Sequence, residues 1–301
     1  MSSAPATVGV VGLGLIGASL ALALREAGFA GRVLGLDQDP DTAARARSLG
    51  VIDDSVQSLS ELAAAVDILV LATPTRAAEP LLRELLGTDD PTALPWITDV
   101  ASVKGPLCAV ASEAGSAGAR FIPGHPIAGS ERSGVSAADP KLFAAHRVIL
   151  TPGPDTDATG LSTVRAMWES AGASVEELGI EEHDAVLAAT SHLPHAVAFA
   201  LVNALAGSDR SADIFRFAAG GFRDFTRIAS SDPIMWRDIS VANAPALLNA
   251  IDDFSAELAR LRAAVEQRDA PAIEATFRAA KRARDQFASD LEARLAAPES
   301  Q

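Results

Sequence analysis

The chain has 301 residues, 49% of them apolar, enough to fill one large or two ordinary hydrophobic cores, and a two-domain globular protein is the expectation. A formal charge of −14 repels polyphosphates and anionic surfaces at long range, which argues against nucleic acid or membrane as partners and demands local positive charge for any anionic substrate. The single cysteine, Cys108, excludes an internal disulfide and a multi-cysteine zinc site, and its apolar setting, Leu107-Cys108-Ala109-Val110, reads as a small buried hydrophobe.

The first apolar run, residues 8–24, is interrupted by Gly9, Gly12, Gly14 and Gly17 and has no basic cluster before it. It fits neither a signal peptide nor a membrane span, so a cytoplasmic location is expected. It reads instead as a strand over 7–11 running into Gly12-Leu13-Gly14-Leu15-Ile16-Gly17 and a helix over 18–27. In such a turn Gly12 permits the tight bend, Gly14 lets the backbone approach a pyrophosphate, and Gly17 allows close helix–strand packing. The free amides of the helix start face the phosphates, making Gly12, Gly14, Leu15, Ile16 and Gly17 the candidate cofactor-binding residues.

A second strand, 32–36, ends in Asp37, twenty positions after the last glycine of the turn. A carboxylate there accepts hydrogen bonds from the adenosine ribose and repels a 2′-phosphate, so NAD is expected rather than NADP. A third strand, 68–72, delivers Thr73 and Pro74 to the same crevice. Further strands are expected at 96–99, 120–123, 148–151 and 174–177. Strands alternating with Ala/Leu-rich helices are the pattern of an α/β fold, a doubly wound parallel sheet covered on both faces, ending near Leu178.

From Ile180 onward no β run stands out, and Leu247, Leu248, Ile251, Phe254, Leu258, Leu261 and Val265 recur at helical spacing. Asp269-Ala270-Pro271 is a helix start, so two long helices should flank it. Helices of that length with Ala-rich faces bury little alone, and a homodimer through them is expected. The domains are therefore 1–178, a cofactor-binding sheet domain, and 179–301, an all-helical domain.

No metal site is expected, because the five histidines lack a ligand spacing on one helix face. His125, bracketed by Gly124 and Pro126 after a strand, is expected on a rigid loop beside the nicotinamide. There it can take a hydroxyl proton while hydride leaves the same carbon, or simply bond a backbone carbonyl. Arg227, in an apolar-aromatic setting, can pair with Asp224 or receive a substrate carboxylate.

Gly124-His125-Pro126-Ile127-Ala128-Gly129-Ser130-Glu131 and Gly220-Gly221-Phe222-Arg223-Asp224-Phe225-Thr226-Arg227 are far more specific than the glycine turn. With Asp99-Val100-Ala101-Ser102-Val103-Lys104 and Ser191-His192-Leu193-Pro194-His195, they make the chain resemble the prephenate and arogenate dehydrogenase family from Val8 to about Leu295. The resemblance implies an N-terminal Rossmann domain, a helical C-terminal dimerisation domain and an active site between them. It implies that His125 is the catalytic histidine on the ring hydroxyl, Ser102 the serine orienting it, and Arg227 the carboxylate-binding arginine. His195 and Trp236 would line the pocket, and Ser130, Glu131 and Asp224 would bind or order substrate. For His192 the alternative is a structural role, serving only its helix or a neighbour. The activity implied is NAD-dependent oxidative decarboxylation of prephenate to 4-hydroxyphenylpyruvate in tyrosine biosynthesis. Arogenate and 4-amino-4-deoxyprephenate are alternative substrates, and an NAD-binding redox sensor is the non-enzymatic alternative. A β-hydroxyacid dehydrogenase or imine reductase would want a catalytic Lys or Asp in the helical half, and no Lys lies between Lys141 and Lys281.

Overall fold

A computed structural model describes residues 6–129 and 132–296 of the chain. Six strands form a wholly parallel sheet: β1 (Ala6–Val11), β2 (Ala30–Leu36), β3 (Asp54–Ser55), β4 (Ile68–Leu71), β5 (Trp96–Asp99) and β6 (Phe121–Ile122), in the order β3-β2-β1-β4-β5-β6. Every residue of β4 is buried, as helices covering both faces of a parallel sheet require. Val8, Val10, Leu20, Leu24 and Trp168 fill the core on one face, and Leu62, Leu69, Leu82 and Phe121 that on the other. The chain leaves β1 for β2 on one side and returns to β4 on the other. The crevice beyond the carboxyl ends of β1 and β4 is therefore the topological switch point at which such sheets bind ligands.

The strands expected at 148–151 and 174–177 do not extend that sheet. They form a second, three-stranded one, in which β7 (Gly124–Pro126) runs antiparallel to β8 (Arg147–Leu150), and β8 parallel to β9 (Ser174–Glu177). The expected strand over 120–123 accordingly shortens to β6. Pro123 has no amide with which to continue pairing, and its carbonyl accepts the Thr151 amide instead (3.0 Å), so the chain crosses between sheets there. His125 thus sits in the middle of a strand, opposite Ile149, rather than on a loop.

Among the described residues, the chain beyond Ile180 is helix and turn. One continuous helix, Ile180–Ala206, contains a wider π-type turn at Ala188–His192, a feature that often marks functional sites. By length and composition this helix could cross a membrane, and 22% of its most apolar stretch is buried; His183, Asp184 and His192 on it are buried in the protein. Shorter helices follow at Ser211–Arg216, Gly220–Thr226 and Pro233–Ala242. The two long helices are Ala244–Glu266 and Ala270–Ala296, and Asp269 caps the second by accepting the Ala272 amide (3.0 Å). The chain divides into two compact units, Met1–Leu247 and Leu248–Gln301, and every described candidate site residue belongs to the first.

Candidate active site

The glycine turn is built from sterics that can be checked atom by atom. Gly12 has φ +91°, and a Cβ there would lie 2.6 Å from the Ala72 carbonyl oxygen; at Gly17 it would lie 2.2 Å from the oxygen of Gly12. Both positions are closed to any side chain. At Gly14 a Cβ would meet nothing within 4 Å, so the space beside that backbone is open. The helix begins at Leu15, three residues earlier than expected, because Gly14 itself is the N-cap; no side chain caps it, which leaves the first amides directed at that space. Asp37 sits across the turn, its Oδ2 accepting the Leu13 amide at 2.8 Å and its Oδ1 that of Asp39 at 3.0 Å. Pro74 caps the helix Thr75–Leu86, and the Thr73 hydroxyl beside it is buried with no hydrogen-bond partner among the described residues. An open backbone cradle, uncapped amides, a carboxylate and an unpaired hydroxyl fit a dinucleotide.

A buried polar network lies behind this crevice. Asp99, the last residue of β5, accepts the Gly124 amide with Oδ1 (3.0 Å) and the Ala101 amide with Oδ2 (2.9 Å). Lys104 is fully buried; its ammonium pairs with Asp99 Oδ2 and donates to the Gly124 carbonyl (2.6 Å). Both peptide groups of Gly124 are therefore clamped, and the next residue, His125, is held with them. Ser102 is half-buried in the turn between β5 and the helix Gly105–Glu113, inside the loop that the Asp99–Lys104 pair closes.

His125 Nδ1 meets His183 Nε2 at 2.9 Å, and His183 Nδ1 meets Asp184 Oδ1 at 2.8 Å. Asp184 also accepts the backbone amides of Lys104 (2.9 Å) and Gly105 (2.8 Å) at the start of that helix. Burial, then the positive charge of Lys104 and the neighbouring His183 and His192, hold the His125 pKa well below its ordinary value. Burial pulls the Asp184 carboxyl upward, but the His183 hydrogen bond and the two amides outweigh it and leave the group below the usual carboxylate range.

On the helical side, Asn243 donates to His192 Nδ1 (3.1 Å) and to the Asp184 carbonyl (2.8 Å), so His192 is tied to a neighbour. Burial lowers its pKa to about 4. His195 stacks on Trp236 with ring centroids 3.5 Å apart, and its Nδ1 lies 2.9 Å from the Ser191 carbonyl. Burial lowers the His195 pKa, the Ser191 carbonyl opposes this, and Arg227 lowers it further, so Arg227 shares that neighbourhood. Asp224 is exposed and accepts from Arg223 Nε (3.2 Å). Cys108 is half-buried rather than a full core residue, its thiol pushed up to about 12 by burial. The candidate pocket residues Ser130 and Glu131 lie outside the described residues.

Nothing in the sequence marks His183, Asp184 or Asn243 for a role, and Lys104 stands there only as the end of the Asp99–Lys104 segment. Glu181-Glu182-His183-Asp184 looks like the solvated first turn of a helix, and only burial distinguishes it. The model of the prephenate dehydrogenase nucleotide-binding domain matches residues 20–177, and that of the prephenate dehydrogenase dimerization domain matches 180–279. The chain belongs to the prephenate dehydrogenase family.

Among members of that family, the prephenate dehydrogenase of Bacillus subtilis is 39% identical over 280 residues, 93% of this chain and 75% of its own length. A crystal structure of prephenate dehydrogenase from A. aeolicus in complex with hydroxyphenyl propionate and NAD+ superposes with a TM-score of 0.87 at 37% identity, covering 95% of this chain and all of that one. The arogenate dehydrogenase of Synechocystis superposes at 0.78 with 32% identity, covering 93% and 99%. Family membership thus settles a dehydrogenase of the prephenate type and leaves the ring's side chain open.

Proposed function

We propose that the chain is an NAD-dependent prephenate dehydrogenase, releasing CO2 and 4-hydroxyphenylpyruvate for tyrosine synthesis in the cytoplasm. The observation that carries the reading is His125: a buried histidine, kept neutral by its surroundings and clamped through Gly124 to Asp99, the last residue of β5, and to Lys104. A neutral imidazole accepts a hydroxyl proton without first losing one of its own. When bound in the crevice, NAD supplies the hydride acceptor, held by Gly12, Gly14, Leu15, Ile16 and Gly17 at its phosphates, Asp37 at its ribose, and Thr73 and Pro74 along the crevice wall.

His125 takes the proton of the ring hydroxyl, and Ser102 orients that hydroxyl. Arg227 pairs with a substrate carboxylate through its planar fork, and His195, braced on Trp236, is the polar partner for the pyruvyl group. Ser130, Glu131 and Asp224 complete or order the pocket. The enzyme need only orient a dianion and remove one proton, because aromatisation drives loss of CO2. A homodimer is part of the same reading: Phe217, Val241, Ile234 and Leu248 are 76%, 65%, 60% and 59% exposed, apolar side chains available for a partner subunit to cover.

The test is NADH formation, followed by absorbance, with prephenate, arogenate and 4-amino-4-deoxyprephenate offered in parallel. Prephenate should give the highest kcat/KM. His125→Asn should lower kcat by about 100-fold or more at similar KM, whereas Arg227→Ala should chiefly raise KM. Preference for arogenate or the amino compound moves the substrate and keeps the His125 chemistry. Turnover of none of the three refutes the reading.

A further inference from the structure

The hydrogen bonds behind His125 determine where its proton sits. Asp184 is an ionised carboxylate that already accepts two backbone amides, and a carboxylate only accepts, so the proton in its contact with His183 lies on His183 Nδ1. A positioning role for this contact requires that His183 carry only that proton, which leaves its Nε2 bare. That atom faces His125 Nδ1 at 2.9 Å, and a hydrogen bond there needs one proton, which His125 must provide. The bare lone pair of His125 is thereby placed on Nε2, the ring nitrogen not engaged by His183.

We propose that Asp184 and His183 form a positioning relay for His125, fixing its proton on Nδ1 and taking that proton onto His183 Nε2 when His125 Nε2 receives the substrate's. The proposal rests on the dehydrogenase reading. In the step, the substrate O–H bond breaks as His125 Nε2–H forms, and His125 Nδ1–H breaks as His183 Nε2–H forms. The hydride leaves the ring carbon with its electron pair for the nicotinamide dinucleotide, which is reduced as the ring is oxidised. Loss of CO2 returns the electrons of the broken C–C bond to the ring, and the proton goes back along the relay to the phenolate oxygen.

The surroundings explain why a relay is needed. A positive charge resting on His125 is disfavoured by burial and by the Lys104 ammonium. Asp99 is engaged with Lys104, and the Cys108 thiol nearby stays neutral. Moved one ring back, the charge touches the Asp184 carboxylate. His183 has no exposed surface, and Asn243 fixes Asp184 from behind through its carbonyl, so the geometry is held without solvent.

Nitrogen NMR of protein labelled at histidine tests the positioning half without turnover, since only five histidines contribute. His125 and His183 should both be neutral with the proton on Nδ1. Kinetics test the transfer half. His183→Gln keeps an acceptor for His125 Nδ1–H but cannot take the proton: the His125 tautomer and KM should stay, while kcat falls about tenfold or more. Asp184→Asn removes the charge that supports a protonated pair, so the acid limb of kcat/KM should move to lower pH by about one unit, a shift that a merely structural role would not produce. A His125 protonated on Nε2 in the wild type, or a His183→Gln enzyme with wild-type kcat, overturns the relay. If Asp184→Asn does not fold, those two measurements still decide. Absence of any dehydrogenase activity in the wild type sinks the functional reading instead, and the NMR result then decides the positioning half alone.

Discussion

Replacing Lys104 with methionine removes one ammonium from a site with no access to water, at nearly constant volume. The Asp99 carboxylate keeps its two amide donors, from Ala101 and Gly124, but loses its counter-charge, and the Gly124 carbonyl loses a donor at 2.6 Å. Breaking a buried ion pair from one side costs roughly 3–5 kcal/mol, and a buried carbonyl left unpaired about 1–3 kcal/mol. These overlap, because the same ammonium serves both groups and the surviving amides still solvate the carboxylate, so a total of about 3–5 kcal/mol is expected. Urea unfolding should show the midpoint fall with m unchanged, and the melting temperature should drop by about 10 °C. Adding Asp99→Asn removes the stranded charge but leaves one of the two backbone amides that the carboxylate accepted without its acceptor; because an unpaired buried charge costs more than an unpaired amide, the double variant should recover about 1 kcal/mol of that loss. A Lys104→Met protein within about 1 kcal/mol of wild type, or a double variant worse than the single, would refute the claim that this pair holds Gly124 and His125.

The glycine turn yields a contrasting pair of outcomes. Gly17→Ala drives a methyl to 2.2 Å from backbone and should abolish dinucleotide binding and lower the melting temperature, while Gly14→Ala, with nothing within 4 Å, should keep the melting temperature and weaken NAD+ binding, read by calorimetry. Asp37→Ser should raise KM for NAD+ and narrow the preference over NADP+, since the carboxylate that would repel a 2′-phosphate is gone. His192, held at about 4 against an ordinary value near 6.5, makes stability pH-dependent with a definite sign. The folded-state pKa is the lower one, so the unfolded chain binds more protons between the two values, and stability falls as pH drops from about 6.5 toward 4, by on the order of 3 kcal/mol for this group. Denaturant midpoints that rise over that acid window would contradict it.

Much of the cofactor half could be read along the chain, because its signals are short-range. Gly12, Gly14, Gly17 and Asp37 act through spacing within one strand–turn–helix–strand unit, and the sterics at Gly12 and Gly17 follow from that unit alone. The motifs holding His125, Ser102 and Arg227 also stood out, yet the strand setting of His125 did not. Whether residues 124–126 continue a first sheet or open a second depends on what pairs with them, and β8 begins more than twenty residues later. Asp99 and Lys104 are five residues apart and look like an ordinary turn until their complete burial is known.

The sequence by itself determined the parallel α/β sheet, the helical remainder, the dinucleotide turn with its acidic partner, and the family, since each is written in local periodicity or contiguous motifs. Only the tertiary structure decided that there are two sheets, that Lys104 clamps Gly124, and that His183 and Asp184 stand behind His125. Those contacts join residues up to 80 positions apart, and their energy comes from burial, which strips away competing water and makes charge and proton position matter.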